Sequence, residues 1–478
     1  MTKKTEKTMR TVAFHNLGCK VNSYEIEVMQ QNFQNNGYEI VPFDTKADIY
    51  VVNTCTVTNI ADRKSRQILH RARKLNPDAI VVATGCYVQT SPDKAIADEA
   101  IDICIGNNRK SAIIEIVEEH IRKLDEQKRA GDCGSANTEI KTEDIIDIGS
   151  TDISVGYEDM VLTDTAERVR AYIKIQDGCN QFCSYCAIPL ARGRVRSRKS
   201  ESIIDEIKGL SEKGFKEFVL TGIHISSYGM DFIDKNSEDY LGNKDIRDLA
   251  MKKEYLLNLI KEVADIEGVK RIRLGSLEPR IITDRFASEL ADIDKICPHF
   301  HLSMQSGCDE TLKRMNRHYT SEEYMAKVDI LRKYFDNPAI TTDVIVGFPG
   351  ETEEEFDKTV EFIKRVQFYE THIFKYSPRK GTVAAGLPGQ LTDKVKSERS
   401  DVLEAIDKQA QSKYRALFEG KDSSVLIEEE KQIGSETYPV GHTPNYIMAA
   451  VSPGKGMPGE IVKGRLSSIN GSEIMLLS

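Results

Sequence analysis

Long apolar runs are missing from this sequence, and with them any candidate membrane-spanning helix. The opening stretch Met1–Arg10 is polar and lacks the apolar core of a secretory leader, so a cytoplasmic chain is expected. Positive charge is in deficit too: 66 Lys and Arg stand against 75 Asp and Glu, a formal net charge of −9. That excludes binding of nucleic acid by bulk charge, and any contact with a polyanion has to come from local patches. Cysteine is sparse, ten in 478 residues, which excludes a disulfide scaffold and fits a reducing compartment. Tryptophan is absent, and its absence excludes nothing. What is present suffices for a core, at 40 % hydrophobic residues, in a chain long enough for about two to four domains.

The few cysteines are not scattered. The stretch Gly178-Cys179-Asn180-Gln181-Phe182-Cys183-Ser184-Tyr185-Cys186 sets three of them at spacings x3 and x2, with an aromatic just before the last. Three thiolates on one tight loop suit three irons of a cubane [4Fe–4S] cluster. The fourth iron is then open, a place for substrate or cofactor, as at open catalytic zinc sites. A plain electron carrier would want a fourth cysteine close by, and none follows until Cys297. Tyr185 would sit against whatever binds the open iron. The other readings are a partial zinc site, which usually shows paired C-x2-C units or paired histidines, or three buried thiols.

Upstream, strands and helices alternate. Thr11–His15, Asp48–Val52 and Ala79–Ala83 read as strands. Asn22 with Glu25 resembles a capping box at a helix start, and Gly37 closes that helix. Such alternation predicts a doubly wound parallel sheet over residues 10–121. Cys19, Cys55 and Cys86 each follow the carboxyl end of a different strand, and all such ends lie on one edge of a parallel sheet, so the three can converge. Cys104, at the end of a fourth short strand, is not excluded by position. Burial as small hydrophobes is the other fate open to these thiols. The helix after Cys55 carries Arg63, Lys64, Arg66, Arg71, Arg73 and Lys74, with only Asp62 opposing at its start. It is either a solvated face or a phosphate contact.

Residues 122–165 read as a linker with a short strand at Ile140–Ile148, and Cys133 within it as a spectator. From 166 to 410 the alternation resumes, with strands at Val169–Ile175, Glu217–Thr221, Arg271–Leu274, Phe300–Ser303, Ile340–Val346 and Thr371–Tyr376. Repeated parallel units of this kind curl into a partial (β/α)6 barrel with its functional groups at the strand carboxyl ends. There stand Thr221, Gly222, Ser276, Glu278 and Gln305. Turn chemistry or helix capping would explain each of them as well as a ligand role. Gly347-Phe348-Pro349-Gly350-Glu351-Thr352 lacks a P-loop lysine, which excludes nucleoside triphosphate binding at that segment. Beyond the cysteine loop, Arg192, Arg194, Arg196 and Arg198 alternate at period two. An extended segment would point them to one side as a strip for phosphate; a solvated loop, or neutralisation of cluster charge, is the alternative. Residues 415–478 predict a small antiparallel β-barrel, with a turn at Asn470-Gly471. Its five Lys and Arg against seven Asp and Glu from Lys421 onward give no sign of RNA binding.

The cysteine loop resembles the signature of radical S-adenosylmethionine (SAM) enzymes, and Gly441-His442-Thr443-Pro444-Asn445-Tyr446 resembles the TRAM domain, an RNA-binding module. A three-cysteine α/β domain, a radical SAM barrel and a TRAM-like barrel, in this order over nearly the whole chain, resemble the methylthiotransferases. The resemblance implies two [4Fe–4S] clusters, an auxiliary one on Cys19, Cys55 and Cys86 and a SAM-binding one on Cys179, Cys183 and Cys186. Tyr185, Thr221, Gly222, Ser276, Glu278 and Gln305 would hold SAM. Gly18-Cys19-Lys20-Val21-Asn22 and Ile175-Gln176-Asp177-Gly178-Cys179 resemble the branch acting on threonylcarbamoyladenosine. The reading is therefore an enzyme placing a methylthio group on carbon 2 of the modified adenosine beside a tRNA anticodon. It would use two SAM molecules, a reductant and a sulfur donor, and work as a monomer on the anticodon stem–loop. Isopentenyladenosine in tRNA or an aspartate of a ribosomal protein are the alternative substrates; a non-catalytic iron–sulfur RNA-binding protein is the alternative class.

Overall fold

The computed structural model describes residues 9–129, 146–147, 156–164, 169–234, 236–237, 246–469 and 472–478. Cys133 and the Asn470-Gly471 turn lie outside them. The first sheet runs in the order β2-β1-β3-β4-β5-β6, all parallel: β1 (Thr11–Asn16), β2 (Glu39–Val41), β3 (Ile49–Thr54), β4 (Ile80–Gly85), β5 (Ile103–Ile105) and β6 (Ile146–Asp147). β3 and β4 are buried at every position, as a sheet covered on both faces requires. Val12, Val51 and Val82 face helix α1 (Lys20–Asn35); Ala13, Val52 and Ala83 face helix α2 (Asn59–Leu75). Cys104 lies inside β5 rather than at its end.

Two expectations about this region change. α1 starts at Lys20, with Cys19 as its N-cap and no side-chain cap. Asn22 and Glu25 are buried, and Glu25 serves an ion cluster instead of a capping box. Of the span Ile140–Ile148, the described part is β6.

Six parallel strands make the partial barrel: β7 (Arg170–Asp177), β9 (Glu217–Gly222), β10 (Arg271–Leu274), β11 (His299–His301), β12 (Ala339–Val346) and β13 (Glu370–Lys375). Parallel bridges Ile272–Ile296 and Leu277–Leu302 join β10 to the β11 side. A short antiparallel strand, β8 (Arg196–Ser197), pairs with the end of β7. Strand parity sends Ala171, Ile173, Phe218, Leu220, Ile272, Phe300 and Val344 outward into the apolar core under the helices. The opposite parity turns Arg170, Glu217, Arg271, Arg273, His299, His301, Asp343 and His372 to the interior. The segment 156–164 is no loose tether: Met160 and Leu162 are buried in the core, and Gln31 on α1 holds Val161 and Thr163.

The C-terminal unit is a closed barrel in the order β14-β15-β16-β18-β17, from β14 (Asp422–Ile433), β15 (Glu436–His442), β16 (Met448–Val451), β17 (Ile461–Ser468) and β18 (Met475–Leu477). One pair, β16 with β18, is parallel, so the barrel is not wholly antiparallel. Among the described residues no helix is long and apolar enough to cross a membrane.

Candidate active site at two cysteine triads

The loop Gly178–Cys186 leaves the carboxyl end of β7 under tight steric control. Gly178 has φ +69°, and a Cβ there would meet the Arg194 carbonyl oxygen at 1.8 Å, so only glycine fits. Gln176 clamps the turn, its Nε2 donating to the Asp177 and Gly178 carbonyls at 2.7 Å each and its Oε1 accepting from His224 N–H at 2.7 Å. Across the barrel mouth, Ser184 N–H donates to Met315 O at 3.0 Å, and Asn316 Nδ2 donates to Phe182 O at 3.0 Å. Arg317 aims Nη1 at Cys183 Sγ, 3.4 Å away, and Gln181 N–H points at Cys179 Sγ, 3.5 Å away. Burial pushes the Cys179 thiol up to about 11. Burial, then charge on Cys183, pushes Cys186 up to about 12. These thiols stay protonated at neutral pH unless a metal takes the proton's place. Three soft sulfurs with N–H donors trained on two of them are the donor set an iron–sulfur cluster needs.

Around this loop the strand ends supply polar groups. Thr221 is buried at the end of β9, and Gly222 lets the chain pass where a Cβ would meet Gln176 O at 2.9 Å. Glu278 is buried and takes Arg280 Nε at 2.7 Å; Arg280 Nη2 reaches Gln181 Oε1 at 3.2 Å. Gln305 adopts φ +71°, and Ser276 is exposed with no contact to the loop among the described residues. Tyr185 is half-buried with its ring edge-on to Phe348 at 6.4 Å. Burial, then Arg317 and Arg280, pull His224 down to about 3, which keeps its imidazole neutral. Sequence reasoning passed over Gln181, Arg280 and Arg317. Gln181 could have been noticed inside the cysteine loop, but Arg317 is one of 66 Lys and Arg with no local signal.

The second triad forms on the first sheet. Cys19 follows β1, Cys55 follows β3 and Cys86 follows β4, adjacent strands whose order reverses at β1 and β3, where such sheets bind ligands. A Cβ on Gly18 would lie 3.1 Å from Cys55 Sγ, so the first loop rests directly on the second thiol. Asn22 Nδ2 ties Leu17 O at 2.7 Å to Thr54 O at 3.1 Å, and Asn107 Nδ2 points at Cys86 Sγ, 3.6 Å away. Burial pushes Cys55 up to about 11, and charge on Cys86 and Cys19 adds to the effect. Burial raises Cys19 as well, against the opposing Arg192 guanidinium. Cys19 nonetheless reaches solvent, as a group on the floor of a cleft does. Cys104, Cys297 and Cys308 are buried.

The alternating arginines do something other than expected. Arg192 is fully buried and donates to Glu25 Oε1 at 2.8 Å, Asn22 Oδ1 at 2.7 Å and Asp177 Oδ2 at 3.0 Å. Lys174 reaches Glu25 and Asp177 at 2.7 Å each, and Lys110 closes on the same Glu25. Burial works to raise the Glu25 pKa, but Arg192, Lys110 and Lys174 hold it well below the usual range. Arg196 bonds Asn108 Oδ1 at 2.7 Å; Arg198 pairs with Glu206, and with Asp159 at 2.7 Å. Period two assumed an open segment, but β8 pairs with β7 and both its faces are covered, so these three arginines are unavailable to a polyanion. Arg194 alone of the four is exposed, over the Phe182 ring at 4.2 Å. On α2, Arg63, Lys64 and Arg66 are exposed, and Asp62 turns away to pair with Arg379 at 2.7 Å.

The segment Gly441–Tyr446 packs against the partial barrel. Tyr446 stacks between His299, at 4.3 Å and 3°, and His442, at 4.5 Å and 21°, with Arg273 over its ring at 5.0 Å. Arg271 and Arg273 hold the carbonyls of Ser424, His442, Thr443 and Pro444.

Comparison with known proteins accords with this geometry. The Radical SAM superfamily matches residues 173–363, and the uncharacterized protein family UPF0004 matches residues 11–106. The threonylcarbamoyladenosine tRNA methylthiotransferase MtaB of Bacillus subtilis (strain 168) is 40% identical, over 96% of this chain and 94% of its own. The tRNA-2-methylthio-N(6)-dimethylallyladenosine synthase of Thermoanaerobacter sp. (strain X514) is 34% identical, over 89% of this chain and 86% of its own. The radical SAM methyltransferase TsrM of Kitasatospora setae shares the fold, with TM-score 0.50 at 18% identity over 76% of this chain and 73% of its own. Radical SAM chemistry takes a [4Fe–4S] cluster and SAM. With both matched domains, full-length relatives and a cysteine triad beside each sheet, the chain belongs to the radical SAM methylthiotransferases, a family of transferases.

Proposed function

We propose that this enzyme is a tRNA methylthiotransferase converting N6-threonylcarbamoyladenosine beside the anticodon to its 2-methylthio derivative. It does so with two [4Fe–4S] clusters, one on Cys179, Cys183 and Cys186 and one on Cys19, Cys55 and Cys86. The observation that carries the reading is the direct tie between the two triads. Asn107 contacts Cys86 Sγ and, at 2.8 Å, the carbonyl of Ala191, while Arg192 spans Asn22 beside Cys19 and Asp177 before Cys179. These ties support the reading that both thiol sets serve one chamber.

When bound, the clusters and two SAM molecules supply a radical able to open an unactivated C–H bond, and the sulfur and methyl group that replace the hydrogen. The chain's residues bind and orient. Tyr185, Thr221, Gly222, Ser276, Glu278 and Gln305, with Arg280, line the end of the barrel where SAM would sit, and Glu278 offers the carboxylate for its amine. Neutral His224 adds no charge beside that sulfonium. Arg63, Lys64, Arg66 and Arg194 contact the anticodon stem–loop. Greater identity to MtaB than to the dimethylallyladenosine enzyme favours the threonylcarbamoyl substrate.

Anaerobic reconstitution followed by iron analysis and Mössbauer spectroscopy tests the clusters. About eight irons per chain are expected, and about four would remove the auxiliary cluster. Cys183→Ala is expected to abolish SAM cleavage, whereas Cys55→Ala keeps cleavage and loses thiolation. Unchanged product from Cys55→Ala would defeat the second site.

A further inference from the structure

Three loops, each following the carboxyl end of a strand, are bonded into one rim beside the cysteine site. Asn59 N–H, at the start of α2, donates to Ser377 Oγ at 3.0 Å, and Arg379 reaches Asn59 Oδ1 and Asp62 at 2.7 Å each. Ala384 N–H donates to Ser184 O inside the cysteine loop at 2.8 Å, and a Cβ on Gly381 would meet Leu190 Cδ1 at 2.9 Å. Of the thirteen large hydrophobic side chains left exposed among the described residues, five lie on this rim: Val57, Ile60, Phe182, Leu190 and Val383. Exposed apolar residues gathered on adjoining loops mark a contact surface. Stretches 55–61, 182–199 and 377–384 hold no Asp or Glu, in a chain with 75 of them. Arg194 and Lys380 are exposed within them, and Arg63, Lys64 and Arg66 follow on α2. Phe182 is the most constrained member, at φ +50°, a left-handed conformation that a bulky residue seldom adopts, with its carbonyl held by Asn316 Nδ2. Backbone strain of this kind collects where ligands are gripped. Arg194 covers the ring at 4.2 Å, yet 42% of Phe182 stays exposed.

We infer that Phe182, backed by Arg194, is a stacking platform for an unpaired base of the anticodon loop beside the modified adenosine, and that Val57, Ile60, Leu190 and Val383 receive the rest of that loop. This rests on the tRNA reading above. A surface that is apolar, cationic and free of carboxylates suits a polyanion that also shows bare rings, which is what a single-stranded RNA loop offers. Phe182 stands next to Cys183, so a base stacked on it is a neighbour of the adenosine that must reach the chamber. Because the left-handed turn and Asn316 already fix the backbone that carries the ring, little freedom is lost when a base lands on it. Every base has a π-face, so the platform asks for a base at that position and not for a particular one.

The test uses reconstituted full-length enzyme and anticodon stem–loops carrying threonylcarbamoyladenosine, with each other loop position in turn made abasic or given a different base. Affinity is read by fluorescence anisotropy and product by mass spectrometry, with iron content and RNA-free SAM cleavage as controls on neighbouring Cys183. Removing the base at one position beside the adenosine is expected to cost the wild type about 5- to 100-fold in affinity, and exchanging it for another base much less. Phe182→Ala should lose the same factor on the intact stem–loop, nothing further on the abasic one, and leave the salt dependence unchanged, since no phosphate contact is removed. Phe182→Trp should keep the affinity. The platform is overturned if Phe182→Ala at wild-type iron content binds the intact stem–loop as the wild type does, or if the two losses add in full. Should Phe182→Ala lose iron, the abasic series on the wild type decides alone: equal affinity at every loop position overturns the platform while the tRNA reading stands. A wild type that binds neither stem–loop nor whole tRNA sinks the tRNA reading first. A ribosomal-protein peptide that binds instead, and is lost on Phe182→Ala, would give the rim to a protein and overturn the platform.

Discussion

A single hydrogen atom in place of a side chain decides how the cysteine loop begins. Gly178, at φ +69°, passes so close to the Arg194 carbonyl that a Cβ would lie 1.8 Å from its oxygen. Gly178→Ala must move the turn that Gln176 clamps, and with it Cys179. The expected result is a folded protein that assembles about half the iron of the wild type, the loss falling on the SAM-cleaving site; full iron content would show that the turn can yield. At this scale the sequence was legible where chemistry fixes spacing. The x3 and x2 separations mark one triad, and strand-end positions bring the other together. It was illegible where a residue's task lies with a distant partner. Glu25 mimics a helix cap three residues after Asn22, yet its partners are Lys110, Lys174 and Arg192, far along the chain. Arg317 reaches Cys183 from 134 residues away, and nothing local announces it.

Among the elements, α2 carries three cations with no ion-pair partner among the described residues. Its apolar face, Leu69 and Ala72, is buried on the sheet; Arg71 and Arg73 pair with Asp44 and Asp102, and Asp62 with Arg379. Arg63, Lys64 and Arg66 remain exposed on the first turns after Cys55. Replacing all three with Ala is expected to weaken stem–loop binding and to flatten the plot of log affinity against log salt by about 2 to 3, nearly one unit for each phosphate no longer neutralised. An unchanged slope would assign them to plain solvation. The arginines after the cysteine loop show the opposite case. Period-two reasoning holds for an isolated extended segment, but pairing of β8 with β7 and burial under α1 convert a supposed phosphate strip into an interdomain joint. The strands of the partial barrel were legible to within a residue or two because apolar runs and polar ends alternate so regularly. β15 was not, since its first residues Glu436 and Thr437, and the stretch Glu429–Gln432 of β14 that it pairs with, are solvent-facing and polar.

For the whole molecule, Glu217 is a keystone. Burial would raise its pKa, but Arg273, Arg170 and Arg271 bring it down to about 2. Arg271 and Arg273 in turn grip the backbone of the C-terminal barrel. Because the folded pKa lies below the ordinary carboxylate value, this contribution, about 3 kcal/mol, is present at neutral pH. It is lost as pH falls from about 4.5 towards 2. Hydrogen exchange in β14–β18 is expected to speed up across that window. Glu217→Gln should show fast exchange already at neutral pH and a flatter acid response; a Glu217→Gln barrel as protected as the wild type would mean the docking does not depend on Glu217.

That docking has a kinetic corollary. With Tyr446 stacked between His299 and His442, the strand-start end of the partial barrel is covered among the described residues, and the strand ends beside the cysteine loop are the side of approach. Small reactants and a macromolecular substrate must share it. Whatever is needed inside has to be aboard before the large partner seats itself, and spent fragments wait for its departure. Such an order of arrival predicts ordered rather than random steady-state kinetics, with the large partner binding last.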